Sequence, residues 1–261
     1  MKYLYTILLL LFFSTLTATE NFVVITPEKA GTHLLTRTIT FLTGKKVIHV
    51  WDRSRSTTDI EGFLRTAAAE GKYLHMHAFP EPHIVKVFQE GGYKVIFLLR
   101  DPRDQLISIL FYIRERHWEY RTLRMDFPFG LLSFEEQIEE MITGEKYGVQ
   151  VPYDFFKLRL PWMSFEDSYT TYFENLVGEK GQGSKEVQMA ELRNLAGFLH
   201  IQISNEQLEY IADNLFGWHG LGTFRSGQIG SWKDYFTERH INLFNQYFGN
   251  DLIEFGYADP D

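Results

Sequence analysis

The feature that most constrains this chain is a series of short apolar runs set between segments with helical spacing. Residues 21–26, 47–51, 73–76 and 94–99 read as strands. The first and last carry Phe22-Val23-Val24-Ile25 and Val95-Ile96-Phe97-Leu98-Leu99 with no polar break. A strand wetted on one face alternates apolar with polar residues, whereas a strand covered on both faces need not. Between these runs, residues 32–42, 60–70, 82–89 and 104–116 have helical spacing, and Gly44, Gly71 and Gly91-Gly92 stand where helices would stop. The alternation predicts an α/β domain: a central parallel sheet flanked by helices. In such sheets ligands bind beyond the carboxyl ends of the strands.

The C-terminal half reads as mostly helical. Residues 133–143 begin with a capping box formed by Ser133 and Glu136. Residues 185–199, 205–216 and 241–248 have helical periodicity, and 161–165 read as one more strand. Segments 178–183 and 217–230 are glycine-rich loops. There is no internal repeat, and 261 residues suffice for one domain with a substantial core, expected over residues 20–261. Ahead of it, Lys2, an apolar run over 3–13 and small or polar residues over 14–19 have the layout of a signal peptide over 1–18, with a short N-terminal anchor as the alternative. The run falls short of the roughly 20 apolar residues of a membrane span. The expectation is a secretory or exported protein touching membrane only through this segment if it stays uncleaved; anchored and cytoplasmic locations are the alternatives.

Composition excludes several chemistries. The chain has no cysteine, so thiol catalysis, thiolate metal sites and disulfides are absent. Net charge is −8 and no Lys/Arg block occurs, which argues against nucleic acid as a partner. A few placed cations still suffice for a small phosphorylated ligand.

Three segments carry such cations. In Thr26-Pro27-Glu28-Lys29-Ala30-Gly31-Thr32-His33 a strand ends, a loop presents Lys29 and Gly31, and a helix opens at Thr32. Backbone N–H groups at a helix N-terminus attract anions, and glycine lets the chain approach them closely. The segment lacks the Gly-Lys-Ser/Thr ending of a Walker A loop. In the second, the strand 94–99 ejects Arg100, Pro102 turns the chain, and Ser108 lies one turn into the helix that follows Asp104. An arginine and a serine so placed can grip a phosphate; the alternative is a salt bridge from Arg100 to Asp101 or Asp104. The third, residues 224–237, joins Arg225 to Gly227 and Gly230 ahead of Trp232 and Lys233.

In order and spacing these segments resemble the three motifs of the sulfotransferases that use 3′-phosphoadenosine 5′-phosphosulfate (PAPS), a family with a P-loop NTPase-like fold. Lys29-Ala30-Gly31-Thr32 is similar to the family's Pro-Lys-Ser-Gly-Thr. Arg100 and Ser108 match an arginine at a strand end with a serine eight positions on. Arg225, Gly227, Gly230, Trp232 and Lys233 match Arg-Lys-Gly-x-x-Gly-x-Trp-Lys. The resemblance implies that Lys29, Gly31, Thr32 and His33 hold the 5′-phosphosulfate, and that Arg100, Ser108, Arg225 and Gly227 hold the 3′-phosphate. It implies PAPS as co-substrate, an unidentified acceptor bearing a hydroxyl or amine, and no metal. The family's general base is a strand-end histidine in Lys-x-His-x-Pro. Here Leu74-His75-Met76-His77-Ala78-Phe79-Pro80 occupies that place, with His77 the first choice and His75 the second. Lys29 would stabilise the leaving group.

The pattern departs from the family where Glu28 intervenes between Pro27 and Lys29 and at Ala30, Leu34 and Ser226, where the family has serine, tryptophan and lysine, and Phe165 stands in a segment similar to one that contacts adenine. A kinase on a related fold and a sulfotransferase-like binding protein without turnover are the alternative functions. His75, His77 and His83 show His-x-His spacing without a carboxylate at a matching offset, which is weak support for zinc.

Overall fold

The computed structural model describes residues 21–50, 56–115, 127–148, 150–217 and 225–258. The expected signal segment and residues 51–55, 116–126, 149, 218–224 and 259–261 lie outside them.

Five parallel strands form one sheet in the order β2-β3-β1-β4-β5. They are β1 (Phe22–Ile25), β2 (Val47–Val50), β3 (Tyr73–Met76), β4 (Lys94–Leu99) and β5 (Ser168–Tyr172). β1 and β3 are buried along their whole length, as is β4 after Lys94, which matches their apolar runs. Helices α1 (Thr32–Thr43), α2 (Thr57–Ala69), α3 (Pro82–Glu90) and α4 (Pro102–Glu115) follow the first four strands in turn. The chain continues through α5 (Phe127–Gly130), α6 (Phe134–Thr143) and α7 (Val151–Phe155) into a 3-10 segment, Lys157–Ser164. After β5 come α8 (Phe173–Leu176), α9 (Lys185–Phe198), α10 (Asn205–Leu215) and α11 (Glu238–Glu254). The predicted capping box of Ser133 and Glu136 is present at α6.

Alternate residues of the strands supply two cores. Val24, Ile96 and Leu98 pack with α1, α9 and α10 through Leu35, Leu192 and Leu208. Val23, Ile25 and Leu99 pack with α2, α3 and the 3-10 segment through Ile60, Phe88 and Trp162. A third cluster joins α4, α6 and α11 through Leu110, Ile138 and Phe244.

Two expectations are corrected. Residues 161–165 are not a strand: Pro161 lies inside the 3-10 segment, and the fifth strand is Ser168–Tyr172. The terminal helix runs over Glu238–Glu254, well beyond residues 241–248, starting from a capping box at Thr237. Among the described residues no helix is long and apolar enough to cross a membrane.

Candidate active site

The carboxyl ends of β1, β3, β4 and β5 bring the sequence motifs together. After β1 the chain turns through Lys29, a non-glycine residue in the left-handed region at φ 62°, and Gly31, at φ 111°. A Cβ on Gly31 would stand 2.6 Å from Cδ2 of Phe173, so both space and conformation call for glycine. Thr32 opens α1 with its hydroxyl buried and 2.7 Å from that of Thr26. The Lys29 ammonium lies over the Tyr112 ring, 4.5 Å from its centroid.

Arg100 follows β4 directly. Its Nη1 donates to the Lys29 carbonyl at 3.2 Å, its Nη2 to the Gln228 carbonyl at 3.2 Å, and its plane covers Phe173 at 4.3 Å. One guanidinium thus ties the first motif to the third. Asp101, one of the acidic partners considered for Arg100, instead receives Arg103, with Nε to Oδ1 at 3.0 Å and Nη2 to Oδ2 at 2.8 Å. Asp104 stands 4.0 Å from Arg100 Nη2, and its stronger bonds go elsewhere. Oδ2 accepts from the Gly230 N–H at 2.8 Å; Oδ1 accepts from the Ser231 hydroxyl and the Trp232 N–H, both at 2.9 Å. The carboxylate therefore fixes the turn that carries the third motif.

Arg225 stacks on Phe111 of α4 at 4.5 Å and donates to the Tyr235 hydroxyl at 3.3 Å. Phe111 and the half-buried Ser108 are three residues apart on α4, hence neighbours on its surface. Gly227 is in the left-handed region at φ 64°, and its carbonyl lies 2.7 Å from where a Cβ on Gly181 would sit. The Nε–H groups of Arg100 and Arg225 are both buried without an acceptor. Buried donors are seldom left so, and an anionic ligand is the natural acceptor for a pair of them.

His77 follows β3. Its Nδ1 donates to the Thr26 carbonyl at 2.7 Å, which leaves Nε2 to carry the lone pair of the neutral ring. His75 is wholly buried and engaged at both nitrogens: Nε2 lies 2.9 Å from the Thr26 hydroxyl and Nδ1 lies 3.1 Å from Nδ1 of His49. Burial above all pushes His75 well below the ordinary imidazole range and His49 down to about 4, with nearby imidazoles adding to the effect. His33 is lowered as well, by burial and then by Lys29 and His77. His83 lies apart beside Glu81 at 3.4 Å, and the described residues bring no three His, Asp or Glu side chains into a metal-holding arrangement.

A strut joins the lysine loop to the histidine loop. Arg159 is fully buried; its Nη2 donates to Glu28 Oε2 and its Nη1 to the Asp154 carbonyl, at 2.8 and 2.7 Å, while its plane covers Phe79 at 4.2 Å. On the same loops, Gln105 donates to the Glu28 carbonyl and the Trp162 indole to the Ala78 carbonyl.

A family model described as "Sulfotransferase domain" matches residues 19–216, about three quarters of the sequence. The chain belongs to the sulfotransferase domain family. Curated relatives include sulfotransferase 2A6 of Mus musculus, 22% identical over 265 residues, and sulfotransferase 2A1 of Homo sapiens, 23% identical over 253; each alignment covers 90% of this chain and 85% of the relative. Among solved structures, mouse sulfotransferase SULT7A1 complexed with PAP superposes with a TM-score of 0.63 at 16% identity, covering 89% of this chain and 84% of the other. Retinol dehydratase in complex with androsterone and inactive cofactor PAP gives 0.59 at 14%, covering 89% and 80%. These likenesses agree with the α/β fold.

Within this sulfotransferase-family domain, sequence reading misplaced one aromatic residue. Phe165 packs on Trp162, with centroids 6.0 Å apart, and precedes the amino end of β5 rather than following its carboxyl end. The ring at the site is Phe173, directly after β5 and between Gly31 and Arg100. The aromatic and β-branched composition of Tyr169-Thr170-Thr171-Tyr172, without an apolar run, was the weak signal for the strand that carries it. Leu34 packs against the first core cluster, and Ala30 is wholly buried.

Proposed function

We propose that this chain transfers a sulfuryl group from PAPS to a hydroxyl or amine acceptor, with Lys29 stabilising the leaving group and His77 as general base. The observation that carries this reading is the pair of buried, acceptor-less Nε–H groups on Arg100 and Arg225, set beside a lysine-bearing loop and a helix N-terminus. Two guanidinium groups suit a phosphate monoester, and the Gly31–Thr32 turn with Lys29 suits the phosphosulfate. Ser108 and Gly227 would complete the 3′-phosphate site, and His33 the other end.

In the transfer, the bond from sulfur to the bridging oxygen of the 5′-phosphate breaks as the acceptor's oxygen or nitrogen bonds to sulfur. Negative charge grows on that bridging oxygen. The Lys29 ammonium, on its flexible four-carbon stem, and the N–H groups opening α1 would meet it. The acceptor's proton passes to His77 Nε2, the nitrogen left basic by the Nδ1 bond to Thr26. His75, wholly buried and engaged at both nitrogens, is the weaker candidate for this role. Residues 20–261 would form the catalytic domain, exported by the segment 1–18.

Calorimetric titration with adenosine 3′,5′-bisphosphate (PAP) tests the reading. Micromolar or tighter binding is expected, weakened at least about tenfold by Arg100→Ala and by Lys29→Ala. Absence of binding by the folded wild type overturns it.

A further inference from the structure

One hydrogen-bonded chain leads from outside the mechanism above to the Thr32 turn that it uses. It runs from His49 on β2 through His75 on β3 and the Thr26 hydroxyl after β1 to the Thr32 hydroxyl, with successive separations of 3.1, 2.9 and 2.7 Å. The strand register builds it: His49 pairs with His75, and Met76 with Ile25, one residue before Thr26. Thr26 and His75 are wholly buried, and Thr32 is nearly so.

We propose that His49 and His75, acting through Thr26, orient the Thr32 hydroxyl so that its proton points at the anionic ligand. The inference rests on the donor site proposed above. The argument is proton counting. Both imidazoles are held neutral by burial, so their Nδ1···Nδ1 contact contains a single proton. If His75 carries it, His75 Nε2 is bare and must accept from the Thr26 hydroxyl. Thr26 then accepts from Thr32, and the Thr32 proton is turned inward. If His49 carries it, every bond reverses. His75 Nε2–H donates to Thr26, Thr26 donates to Thr32, and the Thr32 proton is released outward. In either direction the Thr26 oxygen can also accept the longer contact from His77 Nδ1, at 3.3 Å. Only the second arrangement lets Thr32 donate to a phosphate or sulfate oxygen. His49 and His75 are thus positioning residues, and the ligand selects one of two tautomer states.

Selective 15N-histidine labelling with long-range 1H–15N spectra reads the tautomer directly in the wild-type protein, with His75 assigned from a His75→Gln variant. With PAP bound, His75 is expected to be protonated at Nε2 and bare at Nδ1. In parallel, His49→Leu is expected to weaken PAP binding about 3- to 10-fold, the effect of one hydrogen bond. His49→Asn, whose amide places a donor where Nδ1–H stood, is expected to restore affinity to within about twofold. PAP-bound wild type with His75 protonated at Nδ1 overturns the inference while leaving the donor site standing, as do equal affinities for the Leu and Asn variants. No PAP binding by the folded wild type overturns the donor site and the inference together.

Discussion

Replacing Asp104 with alanine should weaken the fold and the site together. The carboxylate is fully buried and accepts three hydrogen bonds, from Gly230 N–H, Ser231 Oγ–H and Trp232 N–H, with Arg100 Nη2 4.0 Å away. Alanine leaves two backbone donors and a hydroxyl without an acceptor, and takes a neighbouring negative charge from Arg100, whose Nη2 keeps the Gln228 carbonyl. Each stranded buried donor costs about 1–3 kcal/mol, but the three share one turn that relaxes as a unit, so the costs do not add. A total of about 3–5 kcal/mol is expected, the range for removing one partner of a buried charged network. For a domain of this size that lowers Tm by about 6–20 °C. Asp104→Asn keeps an acceptor at Oδ1 but sets an amide N–H against that of Gly230, so about half the loss is expected. Because the turn carries Arg225 and Gly227, PAP affinity should fall in the same order. Thermal melting by circular dichroism, with calorimetry below both transitions, measures the two effects. An alanine variant melting within about 2 °C of wild type and binding PAP normally would refute the reasoning.

Gly31→Ala should lose donor binding even where it folds, because its Cβ would strike the Phe173 ring under Arg100 and its φ of 111° strains any L side chain; an affinity unchanged in calorimetry would contradict this. Glu174, which accepts from the Asp101 N–H at 2.9 Å and the Tyr257 hydroxyl at 3.3 Å, has its carboxyl raised to about 7 by burial. A raised carboxyl stabilises the fold at low pH and loses that contribution as pH climbs through 7. In urea denaturation, Glu174→Gln should therefore gain on the wild type between pH 5 and pH 8, and a constant difference would count against the shift. His77→Ala should slow transfer about 10²–10⁴-fold while leaving PAP affinity within about twofold, read by turnover and calorimetry on the same preparation.

β1 and β4 were legible because strands covered on both faces collect apolar residues without a break, and β2 and β3 because apolar residues flank the single histidine in each. β5 was not: it is an edge strand whose Ser168, Tyr169, Thr170 and Tyr172 are half-exposed, so its sequence carries no such run. Pro161 and the apolar residues around it imitated a strand in a segment that winds into a 3-10 helix. Lys29, Gly31, Arg100 and Arg225 were legible because each sits in a local motif at a strand end. Thr26, His49 and Asp104 were not. Their partners lie 49, 26 and about 126 positions away, and only strand register and loop docking bring them together.

The Arg159 strut bears on which parts of the site can open. Glu28 and Phe79 are gripped by one side chain, so the turn bearing the lysine and the turn bearing the histidine behave as a single rigid body on the sheet edge. Breathing that admits the nucleotide must then come from the opposite wall, where loop 225–230 rests on Arg100, Asp104 and Gly181 through a few hydrogen bonds. A change in that wall touches the proposed donor site through Arg225 and Gly227 but leaves the histidine turn in place, whereas any change at Glu28, Phe79 or Arg159 displaces donor and base at the same time.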